Sequence, residues 1–572
     1  MHKLVDLFLK LQCVTDYKYY SRFIYFTLFA ILISIIETVG VSIIAPFVSM
    51  ISDQQAIFEN KYFSYAYNLL GFETRLDFTI YFGIFMVIYF ILRAATNLVF
   101  SYRINRFSSS ISAYISTKLF RKYLNLNYPS FVNHNISHMA KLAITETPNI
   151  SYLIVGVLQL VSEIVLTVFI YSLLLIINWK TTLIISILLG ILSVTFYHFF
   201  ILRTKKEGHN RSNALKKMHN TLNSSLNNFK MIKTISNQNQ ISAEYRVEAD
   251  TYAKANTIHH SFSTFPKYIL ESISFVFLII SLLCLLVIHK GEIQQFLPII
   301  FLFLLALYRL LPAVTKILAS VNNIQYLSPI LDNVVEDSHL PEEEYQAEPI
   351  DFSFNIEIKD LLFNYGDKTI LNKVSISLLK NEKIAIVGKS GAGKSTVINI
   401  LIGLLTDYQG EILIDGTPLT PKNILSFRKK VGYIPQDVYL FDDSVANNVA
   451  FGRQYEADKI TMALMKANIL NDLNDKEGLN TRVGDGGGKL SGGQRQRIGI
   501  ARALYGDPEI IIMDEGTSAL DLEVEKKIMS ELLEISDNLT LIIVTHRLES
   551  IRNCDRIFQL SNEGVKDIKG EY

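Results

Sequence analysis

Six long, mostly apolar stretches punctuate the first 330 residues of this 572-residue chain, at roughly 23–49, 77–101, 150–178, 181–203, 267–289 and 296–320. A helix needs about 20 such residues to cross a bilayer's hydrocarbon, so each stretch is predicted to be a membrane span. The segments between them alternate in charge. Those at 51–76, 179–180 and 290–295 are short or poor in positive charge. The stretch 102–149 carries Arg103, Arg106, Lys118, Arg121, Lys122 and Lys141, and 203–266 runs from Arg203, Lys205 and Lys206 to Arg246 and Lys254. Cationic loops stay on the cytoplasmic side, which orients the N-terminus, both long loops and the C-terminal half there.

Composition agrees with a chain that is half membrane and half soluble. Hydrophobic residues make up 49% and charged residues only 19%. The formal charge of +1 offers no basic surplus for nucleic acid. Three widely separated cysteines (Cys13, Cys284 and Cys554) build neither a disulfide framework nor a zinc site, and they fit a reducing compartment. No secretory signal is expected in the first twenty residues, where Lys3, Lys10 and Lys18 are dispersed and no cleavage pattern follows.

The two long loops keep helical periodicity: Ile111, Ile115, Leu119 and Tyr123 in the first, Leu222, Leu226 and Phe229 in the second. Membrane helices that continue into the cytoplasm are expected, with short crosswise helices at the breaks near Tyr128–Asn135 and Leu226–Lys233. A solvated helical hairpin is the alternative. The expected layout is a cytoplasmic segment at 1–22, a six-helix transmembrane domain over 23–330, a linker at 331–350 and an α/β domain over 351–572. Acidic, irregular sequence from Asp332 to Pro349 marks the linker, after which short β-rich runs alternate with helices.

The α/β half holds the most specific motif. The strand Lys383–Val387 runs into Gly388-Lys-Ser-Gly-Ala-Gly-Lys-Ser395 and then a helix, the strand–loop–helix setting of a phosphate-binding loop. Backbone N–H groups of such a loop curl around phosphate, and the helix N-terminus favours negative charge. Lys394 is expected to reach the β- and γ-phosphates, and Ser395 to ligate Mg²⁺. Downstream, the apolar strand Glu509–Met513 ends in Asp514 and Glu515, placed to hold Mg²⁺ and to polarise the attacking water. A buried strand capped by surface acids is the plainer reading of that pair. These motifs define a nucleotide hydrolase.

The segment Leu490-Ser491-Gly492-Gly493-Gln494, followed by Arg-Gln-Arg, makes the region from about 351 to 572 resemble the ABC ATPases. That resemblance implies further roles. Tyr365 would stack on adenine; Gly388, Lys389, Ser390, Gly391, Ala392, Gly393, Lys394, Ser395 and Thr396 would cradle phosphate. Gln436 in Tyr-Ile-Pro-Gln-Asp would join the metal site, Asp521 in Ser-Ala-Leu-Asp would form the D-loop, and His546 in Val-Thr-His-Arg would contact the γ-phosphate. Glu515, His546 and Gln436 are the catalytic candidates. Gly516 and Asp485 replace the family's usual Ala and Glu, removing no functional group. In this family the signature loop completes the ATP site of a second subunit, which implies a homodimer with ATP and Mg²⁺ at two composite sites.

A six-helix domain fused ahead of one ATPase domain resembles ABC exporters. Arg93, Lys267 and Arg309 lie in or at the edges of the apolar stretches, where a charge costs about 2.5–3.5 kcal/mol even on lenient scales. They either pair with the acids Glu37, Glu163 and Glu271 for architecture alone, or line a cavity for an anionic headgroup, for which guanidinium suits phosphate. Glu-Thr-Val-Gly-Val-Ser-Ile-Ile-Ala-Pro-Phe in the first stretch, Leu-Asn-Asn-Phe-Lys-Met-Ile-Lys and Leu-Ala-Leu-Tyr-Arg-Leu-Leu-Pro resemble the PglK family of bacterial flippases. These move lipid-linked oligosaccharides for N-linked protein glycosylation. The resemblance implies a polyprenyl-pyrophosphate glycolipid as substrate, an inner-membrane location, and a headgroup site at Arg93, Lys267 and Arg309, although the family has arginine where this chain has Lys267. The aromatic segment Lys61–Phe72 either lies at the outer membrane interface against the lipid tail or is a plain connector. Export of another amphiphile (glycolipid, peptide or drug) is the nearest rival. A nucleotide-gated channel would tolerate a damaged catalytic set, which this chain does not have.

Overall fold

The computed structural model describes residues 2–52, 61–177, 179–288, 297–344, 346–474, 477–514, 522–535, 538–546, 551–561 and 564–569. They form two compact units, one of Met1–Leu126 with Ser130–Pro341, the other of Asn127–Pro129 with Glu342–Tyr572.

The first unit is helical throughout, as apolar sequence in lipid requires, because a helix satisfies every backbone N–H and C=O internally. Its long helices are Tyr17–Ser52, Arg75–Leu124, Thr147–Ile177, Trp179–Phe196, Leu202–Asn227, Gln238–Ile288 and Leu297–Ser338. Among the described residues, the helices over Tyr17–Val48, Arg75–Leu124 and Ile136–Ile176 are long and apolar enough to cross a membrane. The described parts of the other three apolar stretches lie in Trp179–Phe196 with its π-helical continuation Tyr197–Ile201 and the start of Leu202–Asn227, in Gln238–Ile288 and in Leu297–Ser338, while 289 and 296 lie outside the described residues. The fifty residues of Arg75–Leu124 rise about 75 Å at 1.5 Å each, far beyond the ~30 Å of hydrocarbon. Thr74 caps this helix by accepting from Asp77 N–H at 3.1 Å.

The helical periodicity of the first long loop buries its apolar face. Ile111, Ile115 and Leu119 sit in a core with Leu153, Ile154, Leu327 and Ile330, and the Tyr123 hydroxyl donates to Asp337 at 2.5 Å. The second loop differs: Leu222, Leu226 and Phe229 are exposed, so their spacing marks a face without a partner in the single chain. Short helices stand at both expected breaks, Tyr128–Asn133 and Phe229–Ile235. Helix Leu297–Ser338 continues seven residues into the acidic stretch expected to be linker, held by Lys10–Asp332 at 2.9 Å and by the Tyr123–Asp337 bond. Lys61–Leu69 is a helix whose Phe63, Ala66 and Tyr67 pack toward Met50 and Phe78 while Tyr62 and Tyr65 are exposed.

The second unit is built on two sheets. β1 (Asn355–Tyr365), β2 (Lys368–Leu379), β4 (Gln409–Ile414) and β5 (Thr417–Pro418) form an antiparallel sheet in the order β2-β1-β4-β5. The main sheet contains β3 (Lys383–Val387), β6 (Val431–Ile434), β7 (Ile510–Asp514), β8 (Thr540–Val544), β9 (Arg556–Ser561) and β10 (Gly564–Asp567), in the order β10-β9-β3-β8-β7-β6. All of its pairings are parallel except β10 with β9. Apart from Lys383, Asp514 and Thr540 at their ends, its central strands β3, β7 and β8 are apolar because both faces are covered. Ala385, Val387, Ile511, Met513, Leu541 and Ile543 enter one core; Ile384, Ile386, Ile510, Ile512, Ile542 and Val544 enter the other. Parallel register places the C-terminal ends of β3, β8, β7 and β6 side by side.

Candidate functional site

Four of the sequence motifs meet at that edge. The phosphate loop follows β3, His546 follows β8, Asp514 ends β7 and Gln436 lies two residues beyond β6. Ligands of open parallel sheets bind outside the carboxyl ends of the strands, so the topology converts four distant segments into one site.

Within the loop, Gly393 takes φ 95°, a left-handed conformation, and its missing side chain leaves room for Leu371. Helix Lys394–Leu401 starts directly after it, so the end of the helix whose N–H groups have no intrahelical acceptor adjoins the loop. Lys394 is buried, and its ammonium donates to Gly388 O at 3.0 Å and Lys389 O at 3.4 Å, so the cation lies across the loop's own carbonyls. Ser395 Oγ donates to Asp514 Oδ1 at 3.2 Å, uniting loop and strand end. Burial, and then Asp514 beside it, push the Tyr433 hydroxyl up to about 12, which keeps it a neutral donor. Tyr365 ends β1 at the tight hairpin to Lys368, its ring half exposed and edge-on to Phe363 at 4.8 Å. A hydroxyl, a carboxylate and a lysine around a glycine loop fit a magnesium–nucleotide phosphate group.

The signature segment has a local structural use that the motif alone does not reveal. Ser491 Oγ accepts from Gln494 N–H, and Gln494 Oε1 accepts from Ser491 N–H, both at 3.2 Å, forming a capping box at helix Gly492–Leu504. Gln494 Nε2 also donates to Asp472 at 3.4 Å. Leu490 is buried below the turn. Among the described residues, these bonds stay near the turn and do not reach the phosphate loop. Glu515 and Asp521 lie outside the described residues.

Of the three intramembrane cations, the side chains of Arg93 and Lys267 lie among the described residues, and they have different neighbours. Arg93 faces Glu37, with Nη2 to Oε1 at 3.6 Å, and Asn97 donates to the same oxygen at 2.9 Å. Lys267 is exposed, with its ammonium 6.0 Å from the Tyr268 ring centre. Arg309 belongs to helix Leu297–Ser338, and its side chain is outside the described set. Glu163 has a different partner from any anticipated, Lys316, whose Nζ donates to Oε1 at 2.7 Å. Lys316 is a further cation inside the sixth apolar stretch, and that position was the signal in the sequence.

A helical membrane unit joined to a P-loop domain whose motifs converge at one sheet edge defines a membrane-embedded nucleotide hydrolase. Comparison places it further. Residues 371–518 match the ABC transporter model and residues 23–310, just over half of the chain, match the ABC transporter transmembrane region. The chain belongs to the ABC transporter family. The ATP-dependent lipid A-core flippase of Francisella novicida is 41% identical over 206 residues, 36% of this chain and 35% of that protein. The corresponding flippase of Desulfotalea psychrophila is 38% identical over 232 residues, 39% and 41% of the two chains. This chain thus spans little more than a third of the length of the curated relatives it matches. A bacterial Atm1-family ABC exporter solved with ATP bound shares the fold, with a TM-score of 0.75 over 96% of this chain and 95% of that one at 21% identity.

Proposed function

We propose that this chain is one half of a homodimeric ABC exporter. It would use ATP hydrolysis to flip a polyprenyl-pyrophosphate-linked oligosaccharide from the cytoplasmic to the periplasmic leaflet, for protein N-glycosylation. The observation that carries the anionic-lipid reading is the set of cations held in apolar helices. Lys267 and Lys316 are exposed there, at a cost that a purely lipid-facing helix would not bear, whereas the Arg93–Glu37 pair by itself is of the architectural kind.

In the ATP site, Tyr365 would stack on adenine, and Gly388 to Thr396 would wrap the phosphates. Lys394 would leave its loop carbonyls for the β- and γ-phosphate oxygens. Ser395, Asp514 and Gln436 would hold Mg²⁺, which supplies charge neutralisation on those oxygens. Glu515 would take the proton of the attacking water, and His546 would steady the γ-phosphate. Leu490 to Gln494 and Asp521 would serve the site of the second subunit. Lys267 and Arg309 would join Arg93 around the pyrophosphate, where bidentate arginine binding is the stronger mode.

A second reading, flipping of lipid A-core, has its own support in the relatives named as ATP-dependent lipid A-core flippases. Proteoliposomes loaded with either lipid decide between them, scored by ATP-dependent access of an added glycan-modifying enzyme. The polyprenyl pyrophosphate glycolipid is expected to move and Glu515→Gln to bind ATP with turnover reduced by two orders of magnitude or more, roughly the size of a lost general base. Flipping of lipid A-core alone, or near-normal hydrolysis by Glu515→Gln, overturns the corresponding assignment.

A further inference from the structure

A run of polar side chains crosses four apolar helices of the membrane unit. Arg93 on Arg75–Leu124 meets Glu37 on Tyr17–Ser52. One turn away on that second helix, Ser34 donates to Ser162 O at 2.8 Å. Ser162 adjoins Glu163 on Thr147–Ile177, and Glu163 receives Lys316 of Leu297–Ser338. The two ends differ in exposure. The Arg93 and Glu37 side chains are 21% and 12% exposed, whereas Lys316 is 53% exposed above a Glu163 that is only 10% exposed. Glu163 Oε2 is buried and, among the described residues, has no hydrogen-bond partner.

That asymmetry has a physical meaning. The Glu163 carboxylate is held by a single ammonium on one oxygen, although it can accept about four hydrogen bonds. Lys316 keeps its remaining N–H donors on the open side. Such a cation is fixed while alone, yet it can accept a better anion. We propose that Glu163 is a built-in competitor for Lys316: it holds the ammonium between cycles, yields it to the phosphate of an incoming anionic lipid headgroup, and reclaims it at release. This rests on the reading that the chain carries an anionic lipid. The net affinity is then the difference between two pairings. Moderate affinity of this kind is what passage requires, since binding has to be favourable enough to enter and weak enough to leave.

The two partners are therefore expected to respond with opposite sign, which a helix–helix tie cannot produce. Full-length protein in nanodiscs would be titrated with a polyprenyl pyrophosphate glycolipid, a phosphorylated lipid A-core and a neutral glycolipid. Multi-turnover flipping would be followed in proteoliposomes. Lys316→Met is expected to weaken binding of the anionic lipid about tenfold, the size of one lost charge-assisted hydrogen bond. Glu163→Gln is expected to tighten it several-fold, to slow multi-turnover flipping, and to leave the neutral lipid's affinity unchanged. The double variant should behave as Lys316→Met. Should Lys316→Met fail to fold, Lys316→Gln and the sign of the Glu163→Gln effect still decide. Weaker or unaltered anionic binding in Glu163→Gln, or losses confined to thermal stability, overturns the proposal. Opposite-sign effects on lipid A-core with no binding of the pyrophosphate lipid would sink the glycolipid assignment and leave this exchange standing. A wild-type protein that binds neither overturns both.

Discussion

Gly393 shows how one position fixes the chemistry of the loop. A Cβ there would lie 2.6 Å from Leu371 Cδ2 and 3.0 Å from Ile370 Cγ2, on a backbone at φ 95°. A left-handed residue with a side chain costs roughly 1–2 kcal/mol before any clash is counted. Gly393→Ala is expected to raise the ATP dissociation constant by about tenfold, since 1.4 kcal/mol is one decade. Titration with a fluorescent ATP analogue measures it, and an unchanged constant would show that the loop opens by another route. Neighbouring Lys394 is already oriented by Gly388 O and Lys389 O, so in the proposed site a nucleotide would exchange acceptors without extending a free side chain. Ser491 and Gln494 are doubly committed, because the atoms implied for a second subunit's nucleotide also cap their own helix.

At the scale of elements, Glu509 clamps the entrance to β7. It accepts from Lys380 at 2.7 Å and Lys430 at 2.5 Å, while its backbone N–H donates to Lys430 O at 2.8 Å. Partial burial pushes its carboxyl up, but the two ammonium bonds outweigh this and hold it below the usual 4.5. A carboxyl lowered in the folded state contributes stability that is present above about 4.5 and lost as pH falls through its folded value. Acidification from pH 5 to 3 (an interval of about two units) should therefore lower the unfolding midpoint of the ATPase domain, and Glu509→Gln should flatten that dependence. Equal slopes in the two proteins would remove Glu509 from the account. The clamp matters to the site because β7 delivers Asp514 five residues later.

For the whole molecule, the proposed composite sites make a prediction about pairs of chains. Lys394→Ala disables a phosphate loop and Ser491→Arg disables a signature, so each homodimer should be inactive. A mixed dimer, purified through two different tags, keeps one site with an intact loop from one chain and an intact signature from the other. It should regain hydrolysis well above either parent. Background activity in the mixed dimer would mean that each chain completes its own site. The fold itself was legible to the extent that its signals are contiguous: the phosphate loop between a strand and a helix, and apolar runs of spanning length, each depend only on neighbouring residues. Legibility failed where burial depended on another helix. Leu222, Leu226 and Phe229, in steps of four and three, are as helical in spacing as Ile111, Ile115 and Leu119 in steps of four, yet among the described residues the first set is exposed and the second is packed in a core.

The sequence by itself determined the family, the ordered set of nucleotide motifs and the apolar runs that commit half of the chain to a membrane. These follow from residue type and local spacing, which covalent connectivity preserves. Only the tertiary structure decided which polar and charged groups pair. Glu163 and Lys316 are 153 positions apart, and Ser395 and Asp514 are 119 apart. No periodicity links such pairs, because helix packing and parallel strand register, not chain order, bring them within a hydrogen bond's reach.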